Sequence, residues 1–360
     1  MTDQFNLGGG IEHIYQVAKG LKDTRFGIFG QPGPAREKFT NLKNVEIHDN
    51  GFAPSYVMEK SPDLVHFHHL RPMVSFFINP FRRWQVPVIF TAHGLHIHKY
   101  EFYDSMTAAI KYFLRFHLER RVFSKPNRII AVSREDKRFM EEKYKLQNVT
   151  YLTNGIDFSA ITAGNDQSKK DLREKLGLPA GEFLFVTVAR FNFQKGYDIL
   201  IKAISLVRDV LEKIPCRFVF VGDGTEFEAM KQLSKSLSVS RYIIFMGPRT
   251  DVYDILRAGD VFLLSSRWEG LPIVLLETGL LKVPVVASDT YGNREIVKET
   301  NGILFKNRDV DALGKIIIDV LDGKYNLTAC AESMYREVQD NYNLEKMLSG
   351  LREIYGVFKQ

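Results

Sequence analysis

Two carboxylates lie close together in the segment 261–281, which runs VFLLSSRWEGLPIVLLETGLL. The first apolar run predicts a buried strand that ends at Ser265-Ser266, and the second predicts a helix to about Leu281. Glu269 then lies in the connecting loop and Glu277 in the helix, so the two could contact different parts of one extended ligand. Carboxylates accept paired hydrogen bonds from neighbouring hydroxyls, which makes a sugar ring and a ribose the candidate partners. The alternative is a surface loop with two solvated glutamates.

The loop that follows Glu269 has a composition suited to binding phosphate or sugar oxygens. Gly270 allows backbone amides to approach a ligand closely. Pro272 fits the first position of the next helix, where its missing N–H costs nothing. Amides at a helix N-terminus bind anions readily. Gly270, Leu271 and Pro272 are therefore candidate ligand-binding residues.

Two cations follow the predicted strand Phe183–Val188, in the segment VARFNFQKG at 188–196. Arg190 and Lys195 emerge at the carboxyl end of that strand, the edge at which open α/β sheets bind ligands. Together they could neutralise a diphosphate, Arg through its planar fork and Lys as a compact point charge. An isolated pair with this spacing would more often be ordinary surface charge, but its position favours a ligand site.

The two segments together resemble retaining glycosyltransferases of family GT4, over nearly the whole chain. The shared motifs are S-x-x-E-G-L-P-x-x-x-L-E around Glu269 and Glu277 and the R-x4-K-G of Arg190 and Lys195. The resemblance implies that Glu277 binds the donor ribose, Glu269 the transferred sugar, and the two cations the donor diphosphate. Thr278-Gly279 departs from the family's usual Ala-Met or Ala-small pair, which we expect to affect packing only.

The resemblance also implies roles for three residues elsewhere. Gly10, in the turn Gly8–Gly10, would face the donor. His93, after the predicted strand Pro87–Thr91, would lie beside the reacting sugar, although the sequence does not establish it as a general base. Arg249 would lie near the nucleotide base, through backbone atoms. The predicted catalytic set is therefore His93, Arg190, Lys195 and Glu269.

Metal binding is an alternative, because six of the nine histidines fall between His66 and His98. Their spacings come from strand ends and loops, with no cysteine nearby, and the resembled family works without a bound metal. We therefore predict no metal and no cofactor, the nucleotide-sugar being a substrate. Arg190 and Lys195 would stabilise the leaving nucleoside diphosphate. The implied path is a front-face displacement in which the departing phosphate helps to deprotonate the acceptor hydroxyl.

Short apolar strands alternate with helix-period segments along the chain, which predicts parallel sheets covered by helices. The resemblance implies an α/β GT-B fold: two Rossmann-like domains facing across a cleft, with a C-terminal helix that crosses back to the N-terminal domain. We place the acceptor domain at 1–162, the donor domain at 163–340 and the returning helix at 341–360. Further predicted strands are Asp63–His68, Arg128–Val132, Val149–Leu152, Arg217–Val221, Ile243–Phe245, Asp260–Leu264 and Val283–Ala287.

The start of the chain is unusual, because the glycine turn at Gly8–Gly10 follows only the short polar segment Met1–Phe5. A doubly wound sheet should have a full strand before such a turn. We expect Met1 to lie inside a truncated first strand, followed by a helix over Ile11–Leu21. The alternative is a shortened strand at the edge of the sheet.

Charge is distributed unevenly: residues 1–158 carry 22 Lys+Arg against 16 Asp+Glu, and the remainder carries 27 of each. The first half should therefore face something anionic, either nucleic acid, a membrane surface or a phosphorylated substrate. The predicted helix within Ala108–Arg128 interleaves aromatics with cations and could lie on an anionic membrane or bind a lipid-linked acceptor. The alternative is a helix with a core-facing aromatic side and a solvated basic side. The cationic candidates are Lys111, Arg115, Arg120 and Arg121.

We predict a glycosyltransferase that moves a hexosyl or N-acetylhexosaminyl group from a nucleotide-diphosphate sugar to a hydroxyl. UDP is the expected carrier from family frequency, and a lipid-linked glycan of cell-surface polysaccharide synthesis is a candidate acceptor. No signal peptide or spanning segment is evident and there are only two cysteines, so we expect a cytoplasmic protein with peripheral membrane contact. The rivals are a nucleotide-sugar 2-epimerase, a phosphorylase and a non-enzymatic binder of nucleotide-sugars or nucleic acid, which no nucleic-acid motif supports.

Overall fold

The computed structural model of the chain describes residues 1–5, 8–49, 53–77, 86–102, 106–162, 167–298 and 300–358. These residues form two compact units. Unit 1 comprises Met1–Asp157 and Tyr342–Gln360, and unit 2 comprises Phe158–Asn341. The boundaries that we predict from the sequence follow residues 162 and 340, and residues 163–166, next to the first of these boundaries, lie outside the described residues.

Unit 1 contains parallel strands and flanking helices. Its strands are β1 Phe26–Phe29, β2 Val45–His48, β3 Val65–Phe67, β4 Val88–Ala92, β5 Arg128–Ala131 and β6 Val149–Tyr151. Its first helices are α1 Gly9–Gly20, α2 Pro54–Glu59, α3 Leu70–Phe77, α4 Met106–Phe123 and α5 Arg134–Glu142, with 3-10 turns at Pro34–Phe39 and His96–Phe102. β1 pairs with β2, and β3 to β6 form a second run in sequence order, all parallel. The four predicted strands of this half are confirmed, whereas the sequence analysis missed β1 and β2.

The first five residues lie between the two runs of strands in unit 1. The Thr2 amide donates to the Phe29 carbonyl at 3.0 Å, and the His68 amide donates to the Met1 carbonyl at 2.9 Å. Thr2 and Phe5 are fully buried. The alternative of an edge strand is wrong, because this segment has backbone partners on both sides. The expected strand is not present either: residues 1–5 form only an isolated bridge, between Gln4 and Gln31.

Unit 2 is a six-stranded parallel sheet in the order β12-β11-β10-β7-β8-β9. Its strands are β7 Phe183–Val188, β8 Cys216–Val221, β9 Ile243–Gly247, β10 Val261–Leu264, β11 Val285–Ser288 and β12 Ile303–Phe305. Its helices are α6 Phe158–Thr162, α7 Lys169–Leu176, α8 Tyr197–Leu206, α9 Arg208–Leu211, α10 Phe227–Ser236, α11 Val252–Ala258, α12 Ile273–Leu280, α13 Tyr291–Ile296, α14 Val310–Leu321 and α15 Leu327–Asn341. Two 3-10 turns lie at Phe193–Lys195 and Ser240–Tyr242. The five predicted strands are present, and only β12 was missed.

The central strands of unit 2 are covered on both faces. Every residue of β10 is buried, as are Leu184, Phe185 and Val186 of β7. Parallel sheets covered by helices on both sides read as continuous apolar runs rather than alternating ones. This explains why continuous apolar runs in the sequence located these strands well.

Helix α7 is tied to the sheet of unit 2 by a buried cation. The Arg173 side chain donates to the carbonyls of Ala258, Ala180 and Glu182 and forms an ion pair with Asp260 at 2.7 Å. The same Asp260 carboxylate accepts the Leu184 amide of β7 at 2.8 Å. One acidic side chain therefore joins α7 to the start of two neighbouring strands.

The chain returns to unit 1 through its last helix, α16 Leu344–Gly356. Met347, Leu348 and Leu351 of α16 form a buried cluster with Val17 of α1 and Ile89 of β4. The helices α1 and α16 approach closely, since a Cβ added at Gly20 would lie 2.3 Å from the Leu348 side chain. Among the described residues, none of the helices has the length and apolarity to cross a membrane.

Candidate functional site

The predicted ligand-binding residues of unit 2 follow strands at one edge of its sheet. Arg190 comes two residues after β7, Glu269 follows β10, and Arg249 follows β9. β10 and β7 are direct neighbours, and β8 separates β7 from β9. Because the strands are parallel, all three loops leave the sheet at its carboxyl edge.

Lys195 and Glu269 form an ion pair that joins the loops after β7 and β10. The Lys195 ammonium lies 2.5 Å from Glu269 Oε1, and the Ser266 hydroxyl donates to the same oxygen at 2.6 Å. The Glu269 side chain is only 6% exposed. Two donors on one oxygen fix the orientation of the carboxylate and leave its second oxygen available to a ligand. The structure thus brings together two predicted residues and adds Ser266, which the sequence analysis did not single out.

The backbone beside Lys195 is held against the end of β10. Gly196 has φ +64°, and a Cβ there would lie 2.2 Å from the Ser265 carbonyl oxygen. The Ser265 hydroxyl donates to the Gly196 carbonyl at 2.9 Å. Only glycine tolerates both the positive φ and the close approach to the Ser265 carbonyl. Gly196 therefore allows the backbone contact that sets the Lys195–Glu269 distance.

A second cation, Arg267, also links the loops after β7 and β10. The Arg267 amide donates to the Gln194 carbonyl at 2.7 Å, and its guanidinium pairs with Asp198 at 2.8 Å. The guanidinium also stacks on the Phe193 ring, 3.9 Å from its centroid. Arg267 is buried and therefore acts as a structural cation.

The backbone of the loop after Glu269 is in contact with α13. A Cβ at Gly292 would lie 2.2 Å from the Gly270 carbonyl oxygen, so the two backbones are in direct contact. Gly270, Leu271 and Pro272 are all buried. The prediction that Pro272 occupies the first helical position is wrong: α12 begins at Ile273, and Pro272 is its N-cap with an extended ψ of 110°.

Arg190 lies at the surface of a turn that glycines support. A Cβ at Gly222 would lie 2.0 Å from the Ala189 carbonyl oxygen, and one at Gly224 would lie 2.3 Å from that of Phe191. Both glycines have positive φ. The segment Gly222-Asp223-Gly224 therefore shapes the turn that presents the exposed Arg190 side chain.

Glu277 has a partner that no sequence motif indicated. The Tyr253 hydroxyl, on α11, donates to Glu277 Oε1 at 3.1 Å. Tyr253 follows β9 while Glu277 follows β10, so only the folded sheet brings them together. This hydrogen bond leaves a carboxylate that can still accept from a ligand diol.

The Arg249 side chain is paired within its own loop. It makes two hydrogen bonds with Asp251, at 2.8 and 2.5 Å, and it is exposed. Its role beside a nucleotide base stays a prediction that involves backbone atoms.

Unit 1 holds a cluster of histidines beside Gly10 and His93. A Cβ at Gly10 would lie 3.6 Å from the His93 ring, so these two predicted residues are adjacent. His68 Nδ1 and His93 Nε2 are hydrogen-bonded at 3.1 Å, and the His13 ring centroid lies 4.8 Å from that of His93. The ligand atoms of these three residues lie within 4.8 Å of one another, which is the arrangement a metal ion would need. That no metal is used stays a prediction.

These imidazoles are uncharged in the folded protein near neutral pH. Burial lowers the pKa of His13 from 6.5 to about 4, and loss of contact with water lowers the pKa values of His66, His68 and His93 well below 6.5. His93 can thus offer a neutral imidazole to a ligand, not an imidazolium.

We expect the cluster to make unit 1 sensitive to acid. The histidines titrate near pH 6.5 in the unfolded chain but resist protonation in the folded protein. Their contribution to the free energy of unfolding is therefore complete above pH 6.5 and is lost as the pH falls toward 4. His13 alone should remove about 2 kcal/mol from the free energy of unfolding between pH 7 and pH 5. A His13→Leu variant should flatten this dependence, which guanidinium unfolding at both pH values would measure. His117→Leu, at an exposed histidine of α4, is the matched control; equal flattening by both variants would contradict the assignment.

The four predicted cations of α4 differ in environment. Lys111, Arg120 and Arg121 are exposed. Arg115 instead pairs with Glu119, a buried carboxylate that also accepts the Tyr144 hydroxyl at 2.6 Å. Arg115 therefore neutralises a buried charge within unit 1. The interleaved aromatics are divided between core and solvent: Phe123 is buried, whereas Phe113 is exposed.

Comparison with known proteins finds relatives for both halves of the chain. Residues 8–160 match the model of Glycosyltransferase Family 4, and residues 168–337 match Glycosyl transferases group 1. An Escherichia coli UDP-Gal:alpha-D-GlcNAc-diphosphoundecaprenol alpha-1,3-galactosyltransferase is 28% identical over 74% of this chain and 68% of its own length. A D-inositol 3-phosphate glycosyltransferase of Corynebacterium jeikeium is 27% identical, over 72% of this chain and 65% of its own.

A solved structure extends the likeness to the whole fold. Anabaena HepE, crystallised with UDP-glucose, superposes with a TM-score of 0.81 at 20% identity, over 99% of this chain and 100% of that one. The two family models together account for most of both units, and the parallel sheets of each unit agree with them. The chain therefore belongs to glycosyltransferase family 4, the group 1 glycosyltransferases, and has their GT-B fold.

Proposed function

We propose that this glycosyltransferase transfers a hexosyl or N-acetylhexosaminyl group from a UDP-sugar, with retention of configuration, to a hydroxyl of a lipid-linked glycan. The observation that carries the proposal is the Lys195–Glu269–Ser266 contact beside the turn of Arg190. It combines a cation for a diphosphate with an oriented carboxylate for a sugar hydroxyl. A nucleotide-sugar is the ligand class that needs both.

The proposed donor pose assigns each group one contact. Glu277, held by Tyr253, accepts hydrogen bonds from the ribose hydroxyls. Arg190 and Lys195 contact the diphosphate, and the second oxygen of Glu269 contacts the sugar. Gly270, Leu271 and Pro272 line the sugar, and the backbone at Arg249 borders the base.

The proposed reaction proceeds on one face of the sugar. The acceptor oxygen forms a bond to the anomeric carbon as the bond from that carbon to the diphosphate oxygen breaks, and its electron pair goes to the diphosphate. The acceptor proton passes to a departing phosphate oxygen. Arg190 and Lys195 stabilise the developing negative charge, the work that a divalent cation does elsewhere. Full activity after chelation with EDTA is the expected result.

The choice of UDP and of a lipid-linked acceptor is supported by the relatives. One related enzyme is named for UDP-Gal and a diphosphoundecaprenol acceptor, and HepE was crystallised with UDP-glucose. In unit 1, we propose that the neutral His93, beside Gly10, hydrogen-bonds the sugar. The exposed cations Lys111, Arg120 and Arg121 of α4 would support peripheral contact with an anionic membrane.

A thermal-shift screen against UDP-, GDP- and ADP-sugars tests the donor assignment. A ligand at about 100 times its dissociation constant adds roughly 2.7 kcal/mol of stability. We expect UDP-sugars to stabilise the wild type, and Glu277→Ala to weaken that binding about 10- to 100-fold through loss of charged hydrogen bonds. Glu228→Ala, an exposed glutamate on α10, is the matched control and should bind as the wild type does.

Two outcomes would contradict the proposal. Equal stabilisation of wild type and Glu277→Ala by the same donor would remove the ribose assignment. Conversion of the donor sugar without any acceptor would favour a 2-epimerase over a transferase, and nuclear magnetic resonance of the product sugar distinguishes the two.

A further inference from the structure

Several polar side chains are buried together at the carboxyl edge of β10 and β11. Ser266 follows β10, Ser288 ends β11, and Asn293 lies in the first turn of α13. All three residues are fully buried, each at 0% exposure. A buried polar group destabilises a protein unless it is hydrogen-bonded. The hydrogen-bond partners of these three residues therefore indicate what the group does.

The hydrogen bonds of Asn293 and Ser288 lead toward Ser266. Asn293 Nδ2 donates to the Ser288 carbonyl at 2.9 Å and to the Ser288 hydroxyl oxygen at 3.2 Å. The Ser288 hydroxyl donates in turn to the Ser266 carbonyl at 2.5 Å. Since the Ser288 carbonyl can only accept, Asn293 must present its NH2 group there, which fixes the orientation of its amide. Ser288 thus links α13 to the residue that follows β10.

The series of hydrogen bonds ends on Glu269. The Ser266 hydroxyl donates to Glu269 Oε1 at 2.6 Å. Because the Ser266 carbonyl is held by Ser288, the backbone from which this hydroxyl projects is fixed as well. We call Asn293, Ser288 and Ser266 the polar chain. Its last partner is the carboxylate that the proposed donor pose places on the sugar.

The backbone at the start of α13 contacts the same loop. A Cβ at Gly292 would lie 2.2 Å from the Gly270 carbonyl oxygen and 2.7 Å from the Glu269 carbonyl oxygen. The first turn of α13 is itself capped, because the Thr290 hydroxyl accepts the Asn293 amide at 3.4 Å. The segment 290–293 therefore holds the Glu269 loop in two ways, by backbone contact and through the polar chain.

The other contacts of the proposed donor pose do not depend on the polar chain. Glu277 is held by the Tyr253 hydroxyl. The backbone of Lys195 is held within its own loop, where its amide donates to Asn192 Oδ1 at 3.2 Å. Loss of the polar chain should therefore disturb the contact with the sugar and leave the contacts with UDP in place.

From these contacts we propose that Ser288 and Asn293 are positioning residues for sugar transfer. Acting through Ser266, they hold the Glu269 carboxylate where the transferred sugar meets it. Neither residue contacts substrate, because neither has exposed surface. The inference rests on the proposed function and adds a distinction within it. UDP has no sugar to be oriented by Glu269, so the polar chain serves recognition of the sugar and not of the nucleotide.

Ser288→Ala tests the polar chain, because it removes the hydroxyl between Asn293 and Ser266 with little change in volume. We expect the affinity for the UDP-sugar that stabilises the wild type most to fall about fivefold, and kcat for UDP release to fall about five- to tenfold. The affinity for UDP alone should change by less than about twofold. Titration calorimetry measures both affinities. Ser288→Thr restores a hydroxyl and should recover most of the loss.

The matched control is Ser234→Ala, on α10 of the same unit. Ser234 is 1% exposed, and its hydroxyl donates to the Lys231 carbonyl at 2.8 Å. Both variants lose one buried donor to a backbone carbonyl, so both should lower the melting temperature by a similar amount. Only Ser288→Ala should change kcat. If Ser288→Ala lowers the affinities for UDP and UDP-sugar equally, or leaves kcat as the control does, Ser288 has only a structural role and the inference fails.

A second variant displaces the Glu269 loop from the backbone side. Gly292→Ala adds a methyl group where there is no room, and we expect kcat to fall at least about tenfold because a small misplacement of a reacting group is costly. Gly181→Ala, where an added Cβ meets no atom within 4 Å, is the matched control. Circular dichroism checks that both variants fold. An unchanged kcat in a folded Gly292→Ala protein would contradict the contact between α13 and the Glu269 loop.

The wild type separates this inference from the proposed function. If the wild type binds UDP-sugars no more tightly than UDP and transfers no sugar, the proposed function fails, and this inference fails with it. If the wild type transfers sugar and Ser288→Ala does so with the same kcat and the same affinities, this inference fails alone.

Discussion

Lys195→Ala is expected to keep the fold of unit 2 and to lose roughly 100- to 1,000-fold in kcat, the usual cost of removing one group that stabilises charge in a transition state. The ammonium lies against Glu269 Oε1 with its side chain 19% exposed, so water cannot fully replace it. The measurement is the release of UDP from the UDP-sugar that stabilises the wild type most. UDP affinity should also fall, because the same cation contacts the leaving diphosphate.

The control for this variant is Lys202→Ala, on α8 of the same unit. Lys202 is exposed and approaches Asp198 only at 3.8 Å, so its loss should change kcat by less than about twofold. Lys195→Arg, which keeps the charge but changes its geometry, should recover part of the activity. A kcat for Lys195→Ala within threefold of the wild type, with the fold intact, would remove Lys195 from the catalytic set.

Asp260→Ala is expected to destabilise unit 2 by about 3–5 kcal/mol, because it leaves a buried guanidinium without its carboxylate. The Arg173 side chain is 7% exposed, and Asp260 also accepts the Leu184 amide. Removing one partner of a buried ion pair lowers the free energy of unfolding by more than the intact pair contributes to it, because the remaining charge cannot reach water. Asp260→Asn, which retains an acceptor, should cost less.

Guanidinium unfolding followed by tryptophan fluorescence measures this effect in unit 2. The chain has two tryptophans, so in a Trp84→Phe background Trp268 is the only indole and reports on that unit. The control is Asp289→Ala, whose ion pair with Arg294 is more than a third exposed on both sides and should cost less than about 1 kcal/mol. A similar small loss in both variants would show that Asp260 is not a buried anchor.

Most of the fold could be predicted because strands of a buried parallel sheet have continuous apolar sequences. Phe183–Val188 has the same bounds in the sequence analysis and in the structure. β1 and β2 were missed for a physical reason: Gly27 interrupts the first, and the second reads as the mixed VEIH. β12 was also missed, although β3 and β6, which have three residues as it does, were predicted. Short or half-exposed strands carry little periodicity.

Parts of the candidate site could not be predicted from the sequence because they depend on contacts between segments that are distant along the chain. The motifs indicated Lys195 and Glu269, but Tyr253 reaches Glu277 only because β9 and β10 lie in one sheet. Similarly, the sequence of α4 has apolar residues on both sides of the helix, which blurs its period. Only the fold shows that Phe123 packs inside while Phe113 meets solvent.

The division of the chain also sets an order for its synthesis. Unit 2 is one uninterrupted segment, whereas unit 1 needs Tyr342–Gln360 in addition to its first 157 residues. The cluster of Val17 and Ile89 stays uncovered until α16 has left the ribosome. Domains fold as their segments emerge, so unit 2 can complete its core while unit 1 still waits for its last helix. A nascent chain stalled before α16 would therefore expose apolar surface to chaperones from its earlier-made half.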